Sequence, residues 1–141
     1  MFVGKLDNVW FSGKFPNGSL KKEFGCAKQN KMLNVSFENA TLHDVTFSDF
    51  CDLSTIIFPK HGWYLFFDNW DGQLNIIKEK GTRNQTTNTI NDIISFVEIY
   101  KVHSESQKYY ILNVEDLLNE YSEMAVETIK KYATIEIRQE Q

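Results

Sequence analysis

Over residues 33–58 large apolar residues recur every five positions at Phe37, Leu42 and Phe47, each with a smaller apolar residue two places earlier at Val35, Ala40 and Val45. After one inserted residue the pair returns as Cys51 with Leu53 and Ile56 with Phe58. A helix spaces apolar residues by three and four, and a half-buried strand alternates by two, so this period fits neither. It fits a chain that turns a corner every five residues. Both members of each pair then point inward, and successive passes stack into a continuous core. Upstream, Leu6, Phe11, Phe15, Leu20 and Phe24 keep a looser form of the spacing, with Gly4, Val9, Gly13 and Gly18 two places before the first four.

The pairs Val35/Phe37, Ala40/Leu42, Val45/Phe47, Cys51/Leu53 and Ile56/Phe58 resemble the units of the pentapeptide-repeat family, in which a central Leu or Phe follows a small residue with Asp or Asn nearby. The resemblance implies a short, degenerate right-handed β-solenoid in residues 1–58, with about four units per coil. The same Phe-rich spacing also suits hairpins with bulges, so an ordinary antiparallel sheet with packed helices stands as the alternative fold.

Pro59 closes the pattern. Residues 59–141 read as the α/β half of one composite domain spanning 1–141, because no Gly-, Pro- or Ser-rich linker divides the chain. Residues 63–67 are aromatic on both faces, which predicts a strand buried on both sides that caps the coil or pairs with its edge. Asn69-Trp70-Asp71-Gly72 carries turn chemistry, and Leu74, Ile76 and Ile77 suit a short helix or strand ended by Gly81. Residues 82–89 read as an exposed loop. Thr89 and Asp92 then open a helix with Ile90, Ile93, Ile94 and Val97 on one face, although Phe96, Val97, Ile99 and Val102 suit a strand as well. Residues 109–112 read as a strand, and Asn113 as the N-cap of one long amphipathic helix with Val114, Leu117, Leu118, Tyr121, Ala125 and Ile129 on its stripe. Residues 134–138 alternate as an edge strand. The expected class is α+β.

Of the 141 residues 42% are apolar and 24% charged, and no apolar run approaches the roughly 18 residues a membrane helix needs, so the composition is that of a globular chain. The first residues, Met1-Phe2-Val3-Gly4-Lys5-Leu6-Asp7, lack the basic-then-apolar order of an export signal, and the expected compartment is the cytoplasm. Cys26 and Cys51 have no metal-ligand spacing and read as small packed hydrophobes.

Charge is segregated along the chain, whose formal net charge is −4. Lys5, Lys14, Lys21, Lys22, Lys28 and Lys31 make the first segment basic, whereas residues 32–58 contain no Lys or Arg but do contain Glu38, Asp44, Asp49 and Asp52. A second acidic block, Glu115, Asp116, Glu120, Glu123 and Glu127, is closed by Lys130 and Lys131. Such surfaces repel phosphate backbones and steer basic proteins inward.

Neither a Walker loop nor GxGxxG occurs, and the three histidines, His43, His61 and His103, are scattered. No metal or cofactor is expected. Cys51 falls on an inward position, where a thiol is inert. His43-Asp44 reads either as an acid/base pair or as two solvated side chains on the surface.

The expectation for function is a small acidic cytosolic binding protein, not an enzyme, that neutralises a protein partner by occlusion. In style the chain resembles the Asn- and Lys-rich bacterial immunity factors of polymorphic toxin systems. That resemblance implies a basic toxin domain as partner, with no direct nucleic-acid or membrane contact, held by Glu38, His43, Asp44, Asp49, Glu120 and Glu123. The alternatives are a phage-encoded inhibitor of a host defence, a DNA-mimicking pentapeptide protein, or a small hydrolase or nuclease using His43, His61 or His103.

Overall fold

The computed structural model describes residues 1–14 and 32–139. Strands β1 (Val3–Asp7) and β2 (Trp10–Ser12) run parallel to β3 (Asn39–His43) and β4 (Thr46–Ser48), with Leu6 beside Leu42 and Phe11 beside Phe47. Matching corners separate the strands of each pass: Asn8 at φ 55° and Asp44 at φ 46°, residue types that tolerate the left-handed region. The Asn8 N–H donates to the His43 carbonyl (3.1 Å) and the Thr46 N–H to the Val9 carbonyl (2.9 Å), so the pairing continues around the corner. At the next corner a Cβ on Gly13 would collide with the Asp49 carbonyl, and glycine alone lets the two passes approach there. Ser36 bridges Ile57 in parallel, 21 positions on, which is four pentads and the one inserted residue. The hairpin arrangement is therefore not what this half adopts: its pairing is parallel throughout the described residues.

The pentad pairs fill the interior of these layers. Phe37, Ala40, Leu42, Phe47, Cys51, Leu53 and Ile56 are buried, and Val35, Val45 and Phe58 pack against them half-buried. Phe2 stacks on Phe37 at 5.3 Å and Phe11 on Phe47 at 5.5 Å, contacts worth about 0.5–1.5 kcal/mol each beyond burial. The upstream positions Phe15, Gly18, Leu20 and Phe24, and the second cysteine, Cys26, lie outside the described residues.

In the second half, β5 (Gly62–Phe67) is the central strand of an antiparallel sheet, between β6 (Tyr110–Asn113) and β7 (Ile135–Gln139). Burial of β5 follows from two neighbours and the covering helices, and its ladders run to β6 and β7 instead of to the layered edge. Helices α1 (Trp70–Lys80) and α2 (Thr87–Lys101) are followed by a short 3-10 turn (Ser104–Ser106), and after β6 come α3 (Val114–Glu120) and α4 (Glu123–Lys130). The class is α+β.

Four local expectations are corrected. The Asn69–Gly72 stretch starts a helix: Asn69 is the N-cap and Trp70, 1% exposed, stacks on Tyr110 at 4.6 Å. Asn, Asp and Gly serve turns and helix starts alike, and a buried tryptophan decides between them. Residues 96–101 continue α2, which Thr86 caps by accepting the Thr89 N–H. The single long C-terminal helix is two. Tyr121 is extended at φ −124°, ψ 157°, Ser122 Oγ accepts the Ala125 N–H (3.3 Å), and the Ser122 N–H donates to Asp92 Oδ2 on α2 (2.8 Å). A fresh cap and a tertiary bond replace the helical bonds given up at the break. Leu118, expected on the buried stripe, is exposed.

One apolar cluster joins the halves, through Phe47 edge-on to Tyr110 at 5.7 Å and Phe58 edge-on to Phe66 at 5.2 Å. Polar clamps tie the same seam. Gln107 accepts the Cys51 N–H (2.9 Å) and donates to the Cys51 carbonyl (2.7 Å), while the Tyr64 hydroxyl accepts the Leu42 N–H (3.2 Å). Among the described residues no helix is long and apolar enough to cross a membrane.

Candidate partner-binding site

The seam also builds an acidic concavity. Asn113 ends β6 and caps α3, accepting the Glu115 N–H through Oδ1 (2.9 Å) while its Nδ2 donates to the Leu42 carbonyl (2.7 Å). One side chain thus starts the helix and holds it to the layered half. Glu115 and Asp116 in the first turn lie where the helix dipole favours carboxylates, and Glu120 follows Asp116 by one helical turn on the same face.

Asp116 reaches across to the β3–β4 corner. Its Oδ1 lies 2.9 Å from His43 Nδ1 and its Oδ2 accepts the Asp44 N–H at 2.9 Å. This fork holds Asp44 in its left-handed conformation. Asp44, Asp116 and Glu120 line a notch of about 40 Å³ together with Leu42, Ile111, Leu112 and Tyr100. Burial pushes the Tyr100 phenol far up from its ordinary value, with Tyr110, Tyr121, Glu120 and Asp44 adding to it. The Lys5 ammonium feels the same field: it is held above its ordinary value chiefly by its hydrogen bond to Asp7 (2.8 Å), with smaller contributions from Asp116 and Asp44.

Of the six residues expected to meet a partner, the fold gathers His43, Asp44 and Glu120 around the Asp116 fork. Of these only Asp44 and Glu120 line the notch, His43 touching it through Asp116, and the other three lie elsewhere. Glu38 is paired with Lys60 at 2.5 Å, Asp49 accepts hydrogen bonds from Ser12 and Ser48 (3.1 Å each) at a corner, and Glu123 is exposed in the first turn of α4. Asp49 is thus part of the corner geometry. The histidines stand in three surroundings: His43 on Asp116, His103 against the Trp10 ring at 5.5 Å, and His61 exposed ahead of β5. Among the described residues no group of three His, Cys, Asp or Glu side chains is placed to hold a metal ion.

The organiser of the site is Asp116, which the sequence shows only as one member of the second acidic block and not among the residues expected to meet a partner. Its one-turn spacing from Glu120, on the side away from the apolar stripe, was the available signal. No protein-family model, curated protein or solved structure matches this chain.

Proposed function

We propose that this chain is a small acidic binding protein that neutralises a basic protein partner by covering it, in the manner of a bacterial immunity protein and its toxin. The reading is carried by one observation: two acidic blocks far apart in sequence converge, so that Asp44 from the first and Asp116 and Glu120 from the second line one notch. Carboxylates of like sign repel, and a cation on a partner relieves that repulsion as it docks. Occlusion needs complementary shape and charge but no reaction chemistry, and electrostatic steering makes such association fast and salt-sensitive. The same act serves a phage-encoded inhibitor of a host defence. The parallel layers, with their matched corners and stacked Phe pairs, support reading the first half as a short pentapeptide-type coil, which serves as the rigid platform that presents Asp44. Cytoplasmic residence belongs to the same proposal.

The test is co-purification with tagged wild-type protein and with Asp44→Lys/Glu120→Lys, followed by titration of the isolated pair at about 0.05 M and about 0.5 M salt. A stoichiometric basic protein held by wild type, released by salt and lost in the double variant supports the reading. Undiminished binding by the double variant, with loss on Glu123→Lys, places the interface elsewhere.

A further inference from the structure

Beside the acidic notch lies a second concavity of different chemistry, a cleft of about 270 Å³ walled by Trp10, Phe47, Ile99, Tyr100, Val102 and Tyr110. Tyr100 lines both cavities. The chain alternates between them along the seam: Asp44 and Val45 face the notch while Thr46 and Phe47 face the cleft, and on β6 Tyr110 faces the cleft while Ile111 and Leu112 face the notch. The cleft is rimmed by three large apolar side chains left in solvent: Trp10 at 60%, Ile99 at 55% and Val102 at 72% exposure. They come from β2 and from the end of α2, so the fold has assembled them. Trp10 is also fixed in place. Its indole N–H donates to Ser48 Oγ at 2.6 Å and its ring rests against His103, so little side-chain freedom remains to be lost on binding.

We propose that the partner is held by a segment that places an aromatic side chain in this cleft and a flanking Lys or Arg in the notch. The inference rests on the acidic-inhibitor reading and specifies how it recognises its target. Charge complementarity selects the occupant: the notch brings three carboxylates together, of which Asp116 is engaged by His43, and Lys5, a cation in their field, is already bonded to Asp7. Its volume exceeds the roughly 10–15 Å³ that admits one water and so leaves room for a small cationic head group. The cleft is smaller than the roughly 300 Å³ at which drug-sized pockets begin, yet roomy for one aromatic ring. Aromatic anchors beside arginine are what the energetic centres of protein interfaces are made of.

The probes are three capped tripeptides, Lys-Trp-Lys, Lys-Ala-Lys and Glu-Trp-Glu, titrated into the isotope-labelled full chain and followed by amide and indole NMR shifts. Lys-Trp-Lys is expected to bind at least about tenfold more tightly than either control and to move the Trp10 indole N–H together with the Asp44, Val102 and Glu120 amides. Val102→Ser, a neutral change at an exposed position, should reduce the tryptophan-dependent gain and leave Lys-Ala-Lys binding as it was, with the spectrum otherwise that of a folded protein. Equal binding of Lys-Trp-Lys and Lys-Ala-Lys at the notch overturns the aromatic anchor while leaving the acidic reading standing. Equal binding of Lys-Trp-Lys and Glu-Trp-Glu means the notch does not select cations, which overturns both. Shifts from none of the three overturn the inference.

Discussion

Asn113 makes two bonds that a single substitution removes together, and a second substitution separates them. In Asn113→Ala the α3 cap is lost, at a cost of about 1 kcal/mol, and the buried Leu42 carbonyl is left without its donor, at about 1–3 kcal/mol. The expected loss is about 2–4 kcal/mol. With a urea slope of roughly 2 kcal/mol/M the unfolding midpoint should fall by about 1–2 M at unchanged slope. Asn113→Asp keeps an acceptor for the Glu115 N–H but cannot donate to Leu42 while ionised. It should lose about 1–3 kcal/mol at neutral pH and recover part of that below about pH 4, where the protonated carboxyl donates again. An Ala variant within about 0.5 kcal/mol of wild type would show that the seam is not held by this side chain, and an Asp variant with no acid recovery would show that the missing donor is not the cause.

Leu42 is 3% exposed between Leu6, the notch and Tyr64, so Leu42→Asp buries an unpaired carboxyl and should abolish cooperative unfolding; retained thermal stability would mean the inward register is wrong. Burial pushes the Cys51 thiol up to about 12, so in a Cys26→Ser background it should resist a thiol reagent at about pH 8 and react on unfolding. Rapid native-state labelling would contradict its placement. Asp71 is held below its ordinary value of 3.8 first by Lys101 and then by the Ser104 hydroxyl, each 2.6 Å from Oδ1. A carboxyl lowered in the fold stabilises it above the unfolded value and ceases to as pH falls through the folded one, so the advantage of wild type over Asp71→Asn should be full near pH 6 and shrink progressively as the pH falls below the ordinary value of 3.8. Urea midpoints measured across that range check it, and a constant difference would remove the ion pair from the account.

What the sequence disclosed was local. The pentad pairs could be read because the inward direction of Phe37, Leu42 and Phe47 is set by the corner spacing alone, and the fold buries all three completely or nearly so. Asn113 could be read because a cap and its helix are neighbours. The break at Tyr121 could not, because the apolar stripe runs unbroken through it, and what ends the helix is Asp92, 30 residues away. The candidate site was half legible for the same reason. Asp44 and Glu120 were visible as acidic residues, but their meeting depends on Asp116 bridging 72 residues to the Asp44 N–H, a pairing that no local period encodes. The apolar rim of Trp10, Ile99 and Val102 is likewise a product of packing, since each residue alone is an ordinary exposed hydrophobe.

The measurement that bears most directly on the central claim is the dissociation constant of the purified complex as a function of salt, for wild type and for Asp44→Lys/Glu120→Lys. Convergence of the two acidic blocks on a basic partner predicts an affinity that weakens steeply with salt for wild type, and a double variant weakened by about 100-fold or more at low salt with that dependence flattened. Equal affinities for the two proteins, with the same response to salt, would contradict it.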